Sequence, residues 1–154
     1  MEYSTLDKLG VRVSRLGFGC MRFPLTAEGK IDEPRAAAML DTAYKAGVTY
    51  YDTAYFYHQH TGEAFLGRAM KRYPRDTFYL ATKMPMSIVE SLDHAKEIFE
   101  GQLAALQTDY VDFYLLHGVN GERWKQAQEM GIVDFLLEMQ KAGRIRHFGF
   151  SFHG

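Results

Sequence analysis

The chain has 154 residues, 47% of them hydrophobic and 24% charged, a composition that suits one globular domain with a sizeable core. A net charge of −1 with scattered Lys and Arg argues against nucleic-acid or anionic-membrane partners, and the single cysteine, Cys20, excludes an intrachain disulfide or a cysteine-ligated cluster. The polar start lacks the apolar segment of a signal peptide, and no apolar run reaches the roughly 18 residues of a membrane span, so a reducing, cytoplasmic setting is expected.

The chain opens with a predicted β-hairpin, arms 5–9 and 11–14, turning at Gly10. Short apolar runs then alternate with longer helical patterns. The runs are residues 14–21, 48–53, 77–83, 111–117 and 145–152, rich in Tyr, Phe, Val, Ile and Leu. They do not alternate strictly with polar residues, as expected of strands buried on both faces of a parallel sheet. Between the first two runs, Asp32 can cap a helix with Pro34 in its first turn and Gly47 just past its end. Met39, Leu40, Ala43 and Tyr44 share one face of that helix. Phe65, Leu66, Ala69 and Met70 line a second helix, followed by Pro74, and Leu92, Ala95, Phe99, Leu103 and Leu106 line a third. The fourth crossover, about 121–142, is interrupted at Gly131, and Gly143 supplies its stop.

One glycine or polar residue marks the end of each run: Gly19, Asp52, Lys83, His117 and Ser151, spaced by 33, 31, 34 and 34 residues. One strand plus one crossover helix takes about 30 residues. Repeated parallel units give either a barrel or a doubly wound sheet. The stretch 17–22, Gly-Phe-Gly-Cys-Met-Arg, lacks the third glycine of a dinucleotide-binding turn, which weakens the second option. Polar and ionisable groups at successive strand ends favour a (β/α)₈ TIM-type barrel, in which chemistry sits at those ends. A full barrel needs eight units and about 250 residues. The sequence supplies about five units after its hairpin, read as one partial barrel domain over 1–154, so open edges and self-association through them are expected.

Asp52, Tyr57, Lys83 and His117 would surround one mouth. Carbonyl reduction needs a hydride donor and a proton donor for the oxygen. A phenol titrates near 10, too high for efficient proton transfer at neutrality, and a neighbouring ammonium favours its ionised form. Lys83 could supply that charge, Asp52 could pair with the lysine, and His117 could hydrogen-bond the substrate oxygen.

Residues 47–54, Gly-Val-Thr-Tyr-Tyr-Asp-Thr-Ala, followed by Tyr57, Glu63 and Leu66-Gly67, resemble the aldo-keto reductase signature. Residues 81–83, Ala-Thr-Lys, and 109–117, ending in Leu-Leu-His, are similar to that family's lysine and histidine strands, and the initial hairpin resembles the one that plugs its barrel. The resemblance runs from about residue 3 to the end. It implies reduction of small-molecule aldehydes or ketones with NADP or NAD, NADPH favoured. Tyr57 would be the general acid, tuned by Lys83 and Asp52, with His117 orienting the carbonyl. It further implies that Gly19, Cys20 and Met21 pass beside the nicotinamide, that Asp52 touches its ribose and that Ser151 binds its carboxamide. The family's usual Ser-Asn pair is here Ser151-Phe152, and Phe152 cannot donate an amide hydrogen bond. The segment 149–153 is more similar to a branch whose full-length members carry a C-terminal iron–sulfur domain. Pyrophosphate and adenosine would bind beyond the fifth unit.

Plainer readings stand beside these. Asp52 could cap a turn, Tyr57 could be a loop aromatic beside Tyr51 and Tyr55, His117 a core histidine and Ser151 a turn serine. Cys20 reads as a buried small hydrophobe. His58, His60 and His153 show no zinc-like spacing, so no metal is expected. Met84 and Met86 suit either the mouth or the core. The competing function is a non-catalytic half-barrel, a binding or assembly module inactive without further strands; a metal-dependent hydrolase is a third.

Overall fold

The computed structural model describes residues 1–153. Strands β1 (Tyr3–Leu6) and β2 (Val11–Ser14) form the antiparallel hairpin. Its first arm is shorter than residues 5–9, because the polar pair Asp7-Lys8 breaks the extended pattern and Asp7–Leu9 wind into a 3-10 turn. Five further strands, β3 (Phe18–Gly19), β4 (Tyr50–Asp52), β5 (Tyr79–Met84), β6 (Val111–Leu116) and β7 (Ile145–Phe150), lie parallel in that spatial order. Each strand neighbours its predecessor in sequence. That order fits a β/α barrel and not a doubly wound sheet, where strand order reverses at a switch point.

Helices α1 (Glu33–Lys45), α2 (Gly62–Met70), α3 (Leu92–Leu106), α4 (Gly121–Glu129) and α5 (Ile132–Lys141) form the crossovers. The oxygens of Asp32, Ser91 and Asn120 accept from backbone N–H groups in the first turns of α1, α3 and α4 at 3.2, 3.1 and 2.9 Å. Each satisfies a donor that the helix leaves free. Gly131 sits between α4 and α5 at φ 73°, a left-handed conformation that glycine adopts without a Cβ clash, which accounts for the break.

The main core fills the space between helices and sheet. Leu40, Leu66, Phe99, Tyr114, Leu116, Ile132 and Leu136 are fully buried there. Met84 and Met86 belong to this core, not to the mouth. Met39 departs from the expected face: it is exposed and lines an apolar hollow of about 540 Å³ with Leu16, Phe18, Ala43 and Val48, beside the open edge of β3. The α2–α3 contact is close at Gly67, where a Cβ would clash with the backbone of Ala105 and Leu106. A smaller cluster lies on the other face of the sheet, where Val11 of the hairpin packs on Ala81 and Phe113 with Val13, Tyr50 and Tyr79 around them. The hairpin is fastened by reciprocal bonds from Ser14 N to Thr49 Oγ1 and Thr49 N to Ser14 Oγ, both 2.9 Å. No helix among the described residues is long and apolar enough to cross a membrane.

Candidate active site

Strand register brings the marked residues to one face. Gly19 pairs with Asp52, and Asp52 with Ala81, two residues before Lys83. Lys83 pairs with Leu115, two before His117, and Leu115 with Gly149, two before Ser151. Side chains two apart on a strand share a face, so Asp52, Lys83, His117 and Ser151 rise in steps around the inner side. Beyond β6, His117 N donates to Met84 O at 2.9 Å, and beyond β7, Ser151 N donates to Leu116 O at 2.9 Å, which extends the register past the strand ends.

Lys83 is buried, with 5% of its surface exposed, a position that needs partners for its charge. Nζ donates to Asp52 Oδ2 and to the carbonyl of Thr53, each at 2.7 Å. Its third direction meets the hydroxyl of Tyr57 at 3.5 Å, with the ammonium 5.2 Å from the ring centroid. The Tyr57 ring stands edge-on to His117, centroids 6.4 Å apart. Carboxylate, ammonium, phenol and imidazole thus converge, although 65 residues of sequence separate Asp52 from His117.

Burial, with smaller contributions from Lys83, His153 and Arg123, lowers the pKa of His117 below its ordinary value, and Asp52 opposes this. The imidazole is therefore neutral near pH 7. The unfolded chain takes up this proton before the folded one does. Stability is thus fully present above about 6.5 and declines as pH falls through the depressed folded value. Urea midpoints at pH 7.5 and 5 should differ more for the native chain than for His117→Gln; equal differences would contradict the assignment.

Tyr57 belongs to a turn that the sequence did not announce. His58, Gln59 and His60 all adopt positive φ, 52°, 54° and 68°, without a glycine among them. Isolated left-handed residues cost about 1–2 kcal/mol each, so the turn needs external ties. His58 supplies one: Nε2 lies 3.0 Å from Cys20 O and 3.3 Å from Phe23 N, and its ring stacks on Phe23 at 5.4 Å. The imidazole donates to the carbonyl or accepts from the amide according to its tautomer. The Tyr57 turn is thereby joined to the segment following β3.

The residues expected beside a nicotinamide differ in what they offer. Gly19 is exposed, and a Cβ there would meet nothing within 4 Å, so its backbone is open to a flat ring. Met21 is also exposed. The Cys20 side chain points into the core, where burial and then Asp52 push its thiol pKa well up; the residue as a whole has no exposed surface, and its carbonyl is engaged by His58. Ser151 Oγ accepts from Gly118 N at 2.8 Å, which leaves its own proton free to donate. Gly19, Met21 and Ser151 fit the nicotinamide half of a dinucleotide, whereas Cys20 adds no accessible group to it. Among the described residues no group of three His, Cys, Asp or Glu side chains is placed to hold a metal ion.

The family model described as "Aldo/keto reductase family" matches residues 15–154. The chain is 31% identical over 161 residues to aldo-keto reductase YhdN of Bacillus subtilis, covering 98% of this chain and 47% of that protein. It is 28% identical to probable aldo-keto reductase 1 of Glycine max, covering 95% and 43% respectively. Among solved structures, the holo form of aldo-keto reductase AKR11C1 from Bacillus halodurans superposes with a TM-score of 0.80 at 33% identity, covering 99% of this chain and 50% of that one. An aldo-keto reductase from Klebsiella pneumoniae in complex with NADPH gives 0.80 at 27% identity, covering 99% and 51%. The chain spans about half the length of the curated relatives it matches.

Proposed function

Because the chain belongs to the aldo/keto reductase family, we propose that it carries the proton-transfer half of an NADPH-dependent aldehyde or ketone reductase, with Tyr57 as general acid. The observation that carries this reading is the lysine ammonium held between Asp52 Oδ2 at 2.7 Å and the Tyr57 hydroxyl at 3.5 Å. NADPH is favoured over NADH because a Klebsiella pneumoniae relative is described in complex with NADPH.

A nicotinamide cofactor, when bound, supplies the hydride that reduces the carbonyl carbon. The chain's own residues manage the oxygen. His117, neutral, donates a hydrogen bond to the carbonyl oxygen and orients it. As negative charge develops on that oxygen, Tyr57 Oη gives up its proton to it, and the alcohol O–H bond forms as the phenol O–H bond breaks. The Lys83 ammonium stabilises the phenolate left behind, because an adjacent opposite charge favours the ionised form. Asp52 and Thr53 O hold the ammonium in place. Backbone at Gly19 and Met21, the Asp52 carboxylate and the Ser151 hydroxyl line the nicotinamide side.

Consumption of NADPH with C2 to C8 aldehydes, followed by absorbance and by alcohol formation, tests the proposal. Turnover that Tyr57→Phe abolishes is the expected result. The second reading is a non-catalytic half-barrel module, a binding or assembly unit, for which the observation is the unpaired outer edges of β3 and β7 among the described residues. It predicts no turnover in either protein. Association through those edges is part of the proposal under both readings, and a monomer at all concentrations in sedimentation would remove it.

A further inference from the structure

Glu63 is almost fully buried, with 5% of its surface exposed, yet no part of the proton transfer above uses it. Its Oε1 accepts from Thr82 Oγ1 and, at 2.7 Å, from Gln102 Nε2. Gln102 Nε2 also reaches Thr82 Oγ1 at 3.2 Å and the carbonyl of Lys83 at 3.1 Å, while Gln102 Oε1 accepts from Tyr114 OH at 2.6 Å. Four side chains from α2, β5, α3 and β6 thus form one closed network on the outer face of the sheet. Burial raises the carboxyl pKa of Glu63, against the opposing effects of Thr82, Gln102 and Lys83.

The network touches Lys83 directly, at its carbonyl, and reaches Tyr57 only through the backbone next to Glu63. Thr82 and Lys83 are consecutive on β5 and point to opposite faces. Fixing the Thr82 side chain and the Lys83 carbonyl therefore fixes the height and tilt at which the ammonium emerges on the inner face. On the other side, Gly62 N donates to Tyr57 O at 3.2 Å, and Gly62 directly precedes Glu63 at the start of α2. One side chain therefore joins the segment that carries the phenol to the strand that carries the ammonium. Proton transfer needs its groups held to within a fraction of an ångström, and buried polar ties are a means of doing so.

We infer that Glu63 is a positioning residue for the Tyr57–Lys83 pair, acting through Thr82 and Gln102 on the backbone of Lys83. The inference rests on the reading of Tyr57 and Lys83 as the acid pair. An apolar or small residue at position 63 would let the pair drift, whereas glutamine, which keeps an acceptor oxygen in the place of Oε1, would not. A Glu63 that is only a core filler makes no such distinction.

NMR of the 154-residue chain labelled with carbon-13 at the tyrosine ring ζ and lysine ε positions tests this. Tyr57→Phe and Lys83→Met assign the two signals. Glu63→Ala should move both, Glu63→Gln should return both to their native positions, and Tyr79, at the far end of β5, should stay unmoved in each. Signals of Tyr57 and Lys83 that hold still in folded Glu63→Ala, or that move equally in Glu63→Gln, would overturn the inference. If Glu63→Ala does not fold, Gln102→Met puts the same question to the Lys83 carbonyl bond, and unmoved signals there would overturn it too. Aldehyde reduction surviving in Tyr57→Phe would end the acid-pair reading instead, and leaves these shifts to report on positioning alone.

Discussion

Asp112→Ala is expected to lower the unfolding free energy by about 3–5 kcal/mol, the usual consequence of removing one member of a buried ion pair. Asp112 has no exposed surface, although it lies in the apolar strand β6. Its Oδ2 accepts from Arg75 Nη2 at 2.7 Å and from Leu80 N at 2.9 Å. Its Oδ1 lies 3.2 Å from Arg146 Nη1 without hydrogen-bond alignment. Arg75 is further held by the carbonyls of Phe78 and Tyr110 at 3.0 and 3.1 Å, and stacks over the Tyr110 ring at 4.1 Å. Alanine would leave Leu80 N without an acceptor inside the sheet and Arg75 without its counter-ion. A domain's whole stability is only about 5–15 kcal/mol, so the loss should be visible as a large fall in urea midpoint with an unchanged slope. Asp112→Asn, which keeps an acceptor for Leu80 N and loses the charge, should fall between the two. A change below about 1 kcal/mol in the alanine variant would place the arginines in water and not in this pair. The cluster sits at the starts of the strands, where barrel residues serve stability, opposite the end that carries the chemistry.

Lys83→Met is expected to reduce kcat/KM for aldehydes by about 10²–10⁴, the range that positioned acid–base groups supply, with little loss of fold. Methionine keeps the length and apolar stem of the lysine, so packing survives. Its partner Asp52 retains 29% exposure of its side chain and can be hydrated when the ammonium is gone, unlike Asp112. What disappears is the cation 3.5 Å from the Tyr57 oxygen, and with it the stabilisation of the phenolate. Circular dichroism together with steady-state rates would check both halves. Rates within about threefold of the native chain would show that the ammonium plays no part in proton transfer.

These two residues illustrate what could be read from the chain. The inner-face set was legible because strand ends recur every 31–34 residues and because side chains two apart on a strand share a face. Lys83 stood out since an ionisable group ending an apolar strand needs a partner. The same reasoning applies to Asp112 within Val111–Leu116, an ionisable residue inside an apolar strand that carries the same signal. The break at Gly131 was visible, as was the cap at Asp32. The left-handed run His58–Gln59–His60 was not, because no glycine marks it and its ties to Cys20 and Phe23 lie 35 residues or more away in sequence. The Glu63–Gln102–Tyr114 network was equally hidden. Helical periodicity marks apolar faces, and nothing in it says which polar residue on α2 will meet which on α3. The polar pair Asp7-Lys8 ends the first hairpin arm earlier than the pattern over 5–9 predicts, and Met39 shares a helix face with Leu40 in the pattern yet is exposed, because the open edge beside α1 leaves no trace in helical periodicity.

In the proposed reaction Tyr57 delivers the proton to a carbonyl oxygen as its carbon is reduced. NADPH deuterated at the transferring nicotinamide position, mixed with an aldehyde and this chain, tests it through the deuterium content of the alcohol carbon. Deuterium should appear at that carbon with the native chain, and none above background with Tyr57→Phe. Equal labelling by both proteins would contradict it.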